Sequence, residues 1–143
     1  MTWDDFDYDY EFTEFENAVC RNQANLFEEC QYDFDCDAID FVTKFMNSTI
    51  AGSMDKKDSP WHAAGIKQKG EELLLLTTVK PFESENEIDP EILYWVGYLY
   101  RKWAFMGASS RSIVSFVPAQ KAIETYGGYH TLDIAEAIRM YMK

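Results

Sequence analysis

Carboxylates crowd the front of this chain. Thirteen of its 25 Asp and Glu residues fall within residues 1–40, where Arg21 is the sole base. Paired carboxylates carry out general acid–base chemistry when one of the two is desolvated and their pKa values part. No pair here sits in sequence surroundings that mark it as desolvated, so the acids read as a solvated anionic face. Calcium ligation is the other chemistry such residues do. The D-x-D pattern recurs at Asp5/Asp7, Asp7/Asp9, Asp33/Asp35 and Asp35/Asp37. An EF-hand loop also needs a central glycine and a closing glutamate, and neither segment supplies the glycine. No metal site is expected.

The nucleophiles and ligands elsewhere are sparse. His62 and His130 are too few for a histidine-rich metal site. Cys20, Cys30 and Cys36 lack metal-ligand spacing and read as reduced, buried thiols. A Cys–His nucleophilic pair meets only in space, and no motif surrounds any of the three cysteines. Gly127-Gly128 follows a helical pattern rather than preceding one, so it reads as a helix terminator and not as a phosphate loop. Residues 98–143 hold six bases against three acids and could imitate a helix-turn-helix. That excess is small for an activity that relies on several phosphate contacts, and the turn falls at Pro118 rather than at a glycine. DNA binding through this segment is the alternative reading. Four tryptophans and nine tyrosines could line a pocket or anchor an interface, but most are expected in the core.

The elements that must position these residues are mostly helical. Asp89 to Gly107 is the pivot: Asp89 suits an N-cap, Pro90 the first turn and Gly107 the stop. Between them Ile92, Leu93, Trp95, Val96, Leu99, Tyr100, Trp103, Phe105 and Met106 leave almost no polar face. A helix apolar nearly all round belongs in a core. Arg101-Lys102 interrupts the run, which is too short for a membrane span.

Ahead of it, Thr13 and Glu16 form a capping box for a helix at about 14–31, with Phe15, Val19, Leu26, Phe27 and Cys30 at helical spacing. A second helix is expected at about 36–54. Ser59-Pro60 would open a third. EELLLLTTV, residues 71–79, fits helix or buried strand, and helix is chosen. After the pivot, Ser109 or Ser110 caps a short helix with Ile113, Val114 and Phe116 facing in. Another is expected over Ala119 to Tyr126, and a last one behind a D-x-x-E cap at Asp133 and Glu136.

The N-terminal DFDYDYEF, residues 5–12, alternates strictly. Phe6, Tyr8, Tyr10 and Phe12 would share one face of a strand or extended arm, and Asp7, Asp9 and Glu11 the other. The aromatic side is expected to lie on the domain itself, with the acids in water. The sharper alternative is a recognition arm, Asp5 to Glu11, that docks on a basic partner.

Three stretches read together resemble a known family: residues 41–55 with 58–75, residues 91–113, and residues 126–138. The matching residues are Tyr94, Trp95, Gly97, Tyr98, Tyr100, Arg101, Trp103, Ser109, Ser110, Tyr126, His130 and Thr131. The family comprises small, cytosolic, uncharacterised proteins of gut Firmicutes, with a YWIGYIYRYW-type central helix. The resemblance implies an antitoxin-like or accessory role beside toxin-like genes. The DFDYDYEF arm, Lys102 and Ala104-Phe105 depart from the pattern. If the motif has a functional surface, it would involve Arg101, Ser109, Ser110, His130 and Thr131. The plainer expectation is that Arg101 pairs with an internal acid and that His130 and Thr131 close a turn.

The expectation is therefore a single-domain all-α bundle around a buried central helix: an arm at 1–12, helices over 13–87, then the central and C-terminal helices over 89–143. The N-terminus is acidic and no apolar signal segment follows it, so a cytosolic location is expected. The leading function is a non-enzymatic protein-binding module, without cofactor. It would present residues 1–40, which carry the whole net charge of −12, to a basic protein surface such as a toxin's.

Overall fold

The computed structural model describes residues 7–143, so Met1 to Phe6, including Asp5 and Phe6 of the arm, lie outside the described residues. Thr13 and Glu16 form the reciprocal capping box: the Thr13 hydroxyl accepts from the Glu16 amide and the Glu16 carboxylate from the Thr13 amide, both at 3.0 Å. Helix α1 then runs Glu14–Asp33. It buries Val19, Leu26, Phe27 and Cys30, but Phe15, expected inward, is 55% exposed.

The helix expected over 36–54 is two. Asp37 accepts from the Asp40 amide to start α2, Ala38–Met46. Ser48 then takes an extended conformation; its hydroxyl donates to the Phe45 carbonyl at 2.6 Å and accepts from the Ala51 amide at 3.3 Å. A serine that satisfies an outgoing carbonyl and an incoming amide ends one helix and begins α3, Thr49–Met54. Ser59-Pro60 starts only a single 3-10 turn, Pro60–His62, before α4, Ile66–Leu76. The choice of helix for 71–79 holds to Leu76; Thr77 to Val79 run on outside any helix, as their β-branching suits. An isolated antiparallel bridge joins Cys36 to Pro81.

Helix α5, Pro90–Phe105, is the centre of an all-α bundle. Asp89 accepts from the Glu91 amide at 2.9 Å, and Gly107 stops the helix at φ 126°, a left-handed angle that suits glycine. It packs most extensively along α1, with the later helices on its other sides. At Gly97 the two backbones nearly touch: an added Cβ would lie 2.8 Å from the Ala24 Cα and 2.9 Å from the Gln23 carbonyl oxygen. Neither atom is a flexible side-chain end, so α1 and α5 would have to part. Gly97→Ala should therefore destabilise the fold by about 1–3 kcal/mol despite the better helix propensity of alanine. A urea midpoint unchanged or raised would show that the helices have slack there.

Ser109 caps α6, Ser110–Phe116, through the Ser112 amide at 3.1 Å. Ile113 and Val114 are buried, whereas Phe116 is 38% exposed rather than inward. Helix α7, Ala119–Tyr129, continues through Gly127-Gly128, so the pair is not its terminator; the backbone N–H of His130 closes it on the Tyr126 carbonyl at 2.9 Å. Helix α8, Ile134–Tyr141, follows Asp133, but that side chain makes no cap bond, and Glu136 instead pairs with Arg139 at 3.2 Å. These are the eight α-helices among the described residues. None is long and apolar enough to cross a membrane.

The arm from Asp7 to Phe12 is a turn followed by irregular backbone, not a strand; the Tyr10 amide donates to the Asp7 carbonyl at 3.2 Å. Its alternation survives without the ladder. Tyr8, Tyr10 and Phe12 are half-buried on the domain, and Asp7, Asp9 and Glu11 point to water.

Candidate functional site

Of the motif residues, Arg101 and Ser110 meet deep inside. The Arg101 guanidinium is fully buried. Its Nε donates to Gln23 Oε1 at 2.8 Å, one terminal nitrogen to Asp55 Oδ1 at 2.8 Å and the other to Ser110 Oγ at 3.1 Å. Ser110 in turn donates its hydroxyl to Asp55 Oδ1 at 2.6 Å and its amide to Asp55 Oδ2 at 2.8 Å. Gln23 spends its amide nitrogen on the Gly97 carbonyl at 3.0 Å. Burial pulls the Arg101 pKa down and Asp55 opposes it. Every strong donor and acceptor here is engaged, so this is a clamp tying α1, α3, α5 and α6 together, the internal-acid pairing expected of Arg101. Ser109 is an exposed cap. His130 and Thr131 lie at the exposed turn after α7, where His130 stacks on Tyr126 with ring centroids 4.2 Å apart. The five motif residues thus do not form one surface.

The arm residues are split likewise. Tyr10 donates to Glu16 Oε2 at 2.6 Å, Tyr8 to the Met142 sulfur at 3.0 Å, and Phe12 lies 3.7 Å beneath the Lys102 ammonium. Burial would raise Glu16, but the hydrogen bonds from Tyr10 and Thr13 outweigh it and hold the carboxyl below its ordinary value. The hydrogen bond to Glu16, then burial, push the Tyr10 phenol up to about 12. These aromatics are spent on their own domain, leaving Asp7, Asp9 and Glu11 as the arm's outward chemistry.

The thiols offer no nucleophile. Burial pushes Cys20 up to about 12, Cys36 to about 11 and Cys30 higher still. Among the described residues no hydrogen bond joins a cysteine to a histidine, and no group of three or more His, Cys, Asp or Glu side chains converges as a metal site. His62 Nε2–H donates to the Met54 carbonyl, 2.8 Å away.

Lys69 is the unexpected ionisable group. It is fully buried, donates to Asn22 Oδ1 and to the Ala64 carbonyl at 2.7 Å, and has no carboxylate in ion-pair reach among the described residues. Burial, aided by the charge of Arg101, lowers it from 10.5 to about 8. The unfolded chain then binds more protons between those two values, so this group makes stability rise as pH climbs from about 8 towards 10.5. The full span is on the order of 3 kcal/mol. The buried thiols and phenols push the other way at the alkaline end. The clean measurement is therefore the stability of wild type minus that of Lys69→Met at pH 7, 8 and 9, which should grow with pH. A flat difference would place the ammonium in water.

An open cleft of about 630 Å³ lies between the C-terminal end of α1 and α4. Glu29 and Asp33, one helical turn apart, line it from α1, Asp35 from the following loop and Glu71 from α4. Lys67 is the one cation in its lining, 3.9 Å from Glu71. Burial, a hydrogen bond with Asp33 and the charges of Asp33 and Glu28 push the Glu29 carboxyl up. The charges of Asp33 and Glu28 thus oppose that of Glu29, and a cation entering the cleft would relieve it. Asp35 holds a left-handed φ of 53°, uncommon outside glycine. The remaining lining, Phe34, Ile66 and Leu74, is apolar. Leu74 lines the cleft and is 40% exposed, and Leu75 and Leu76, 81% and 51% exposed, follow it at the C-terminal end of α4. Leu76 also borders a second hollow of about 340 Å³ with Lys44, Ser48 and Thr77. A cleft lined by carboxylates and by Phe34, Ile66 and Leu74 suits a ligand that is both basic and apolar.

Of the four leucines only Leu73 is buried. Helical period is the signal, because four successive leucines cannot all face one side of a helix. The six bases of residues 98–143 include Arg101 and Lys102, both buried, which removes a third of the charge on which nucleic-acid binding would draw. No family model matches the chain, and neither does any curated protein or solved structure.

Proposed function

We propose that this chain is a protein-binding module that presents its acidic front to a basic partner and takes an amphipathic segment of it into the α1–α4 cleft. The observation that supports this reading is the pairing of Glu29, Asp33, Asp35 and Glu71 with Leu74 in one cleft, next to the exposed Leu75 and Leu76 at the end of α4. Recognition of a basic amphipathic helix draws on both: apolar anchors seat in the groove, and cationic side chains meet the carboxylates around it. Asp7, Asp9 and Glu11 add to the field that steers the partner in, while the affinity comes from the cleft rather than from the arm's aromatics. A binding role also fits the state of the nucleophiles, since Ser110 and the three thiols are buried. The antitoxin-like or accessory role implied by the family resemblance is a case of the same activity, with a basic toxin as the partner and the cytosol as the setting.

The test is affinity capture from host lysate at low and high salt, run in parallel with wild type and with Glu29→Gln/Asp33→Asn/Glu71→Gln. A basic protein held by wild type at low salt, weakened by salt and lost with the variant supports the reading. Equal recovery with both baits would move the interface elsewhere.

A further inference from the structure

A second recessed surface lies apart from the acidic cleft, on the α5–α7 side of the bundle. Glu91, Tyr94, Trp95 and Tyr98 follow one another at helical spacing on α5, and with Tyr126 and His130 from the end of α7 they line a hollow of about 200 Å³. The rings are arranged around it rather than packed through it. Tyr94 and Tyr98 stack with centroids 6.4 Å apart, Trp95 meets Tyr126 edge-on at 5.7 Å, and Tyr126 carries His130 at 4.2 Å. Tyr94, Tyr98 and Tyr126 are half-buried, each leaving part of its surface in water.

Charge selects the occupant. The Glu91 carboxylate lines the hollow and makes no ion pair among the described residues. Burial and then the charges of Glu91 and Asp89 hold the Tyr126 phenol up, so both acids act on this space. Burial holds the Tyr94 and Tyr98 phenols up, while on the α1 side the charge of Arg21 pulls both down and Glu28 opposes it at Tyr94. The ring faces carry the negative end of their quadrupoles, so four aromatic side chains with one unpaired carboxylate form an environment for a cation that sheds water readily. A compact ammonium such as unmodified lysine is strongly hydrated and gains less there; a methylated ammonium gains more.

We infer that the hollow between Glu91, Tyr94, Trp95, Tyr98, Tyr126 and His130 binds a methylated ammonium group, its positive charge set against the tyrosine and tryptophan rings with Glu91 as counter-ion. This site is independent of the α1–α4 cleft and does not rest on the function proposed above.

The test titrates the intact protein with choline and with its neutral carbon isostere, 3,3-dimethylbutan-1-ol, following backbone amide shifts and Trp fluorescence. Choline should bind saturably with shifts centred on residues 91–98 and 126–130, and the isostere roughly tenfold more weakly. Glu91→Gln, an exposed change that the fold tolerates, should weaken choline several-fold and leave the isostere unchanged. A peptide bearing trimethyl-lysine, run beside its unmethylated form, separates the sources: tighter binding than choline assigns the group to a modified protein, weaker binding to a free metabolite. Equal affinity for choline and the isostere would overturn the inference, since the hollow would then be merely apolar. Shifts absent from both segments would overturn it as well.

Discussion

Asp55→Ala should cost about 3–5 kcal/mol, because it strands the Arg101 guanidinium in the core with no counter-charge. The stability of a domain of this size is of the order of 5–15 kcal/mol, so the variant would sit near the unfolding threshold at 37 °C. Three hydrogen bonds to Asp55 go at once: from Arg101 at 2.8 Å, from the Ser110 hydroxyl at 2.6 Å and from the Ser110 amide at 2.8 Å. Asp55→Asn keeps the shape and one acceptor oxygen but not the charge, and should fall between wild type and alanine. Removing the stranded charge as well distinguishes an electrostatic cause from a packing one. Arg101→Met combined with Asp55→Ala should recover part of the loss, since an apolar side chain of similar volume carries no desolvation penalty. Urea denaturation followed by tryptophan fluorescence reads all four proteins. A double variant no more stable than Asp55→Ala alone would mean that the clamp acts by shape.

The second large effect concerns binding and should leave the fold alone. Glu29→Lys/Asp33→Lys/Glu71→Lys turns a four-carboxylate cleft into one lined by four cations and a single acid, Asp35. For a basic amphipathic ligand this replaces attraction by repulsion at three points, each worth on the order of 1 kcal/mol near the surface. A loss of roughly 100-fold or more in affinity is expected. The thermal midpoint should change little, because these side chains sit at the surface and none belongs to the Arg101 clamp. Leu74→Ser is the complementary change: the side chain lines the cleft, is 40% exposed and is no part of the core, so weaker binding without lower stability would identify it as an anchor. Unaltered affinity in both variants would remove the cleft from the account.

Local rules carried much of the fold. The Thr13–Glu16 box, the Asp89-Pro90 start and the Gly107 stop each rest on chemistry within one helical turn, and each stands where it was expected. Ser48 and Gly127-Gly128 show where such rules give way. Ser48 broke a continuous apolar stripe because a serine satisfies both helix ends at once. The glycine pair did not break a helix whose remaining turn still had a carbonyl for the His130 amide. The site was legible only in its charge. Glu29, Asp33 and Asp35 belong to the acidic front that stood out in the sequence, but Glu71 and Leu74 come to them from α4, across a distance that no periodicity encodes. In the arm the alternation gave the face but not the partners: Tyr8, Tyr10 and Phe12 lie on the domain as expected, against Met142, Glu16 and Lys102, two of them far along the chain.

The most direct measurement is a backbone amide shift titration of the wild-type protein with a Leu/Lys amphipathic helical peptide at low salt. The cleft reading predicts saturable shifts concentrated in residues 29–35 and 66–76, reduced by added salt, with residues 7–12 changing far less. Shifts confined to residues 7–12 would contradict it and hand the interface to the arm, and a spectrum that does not respond to the peptide would contradict the acidic-face account as a whole.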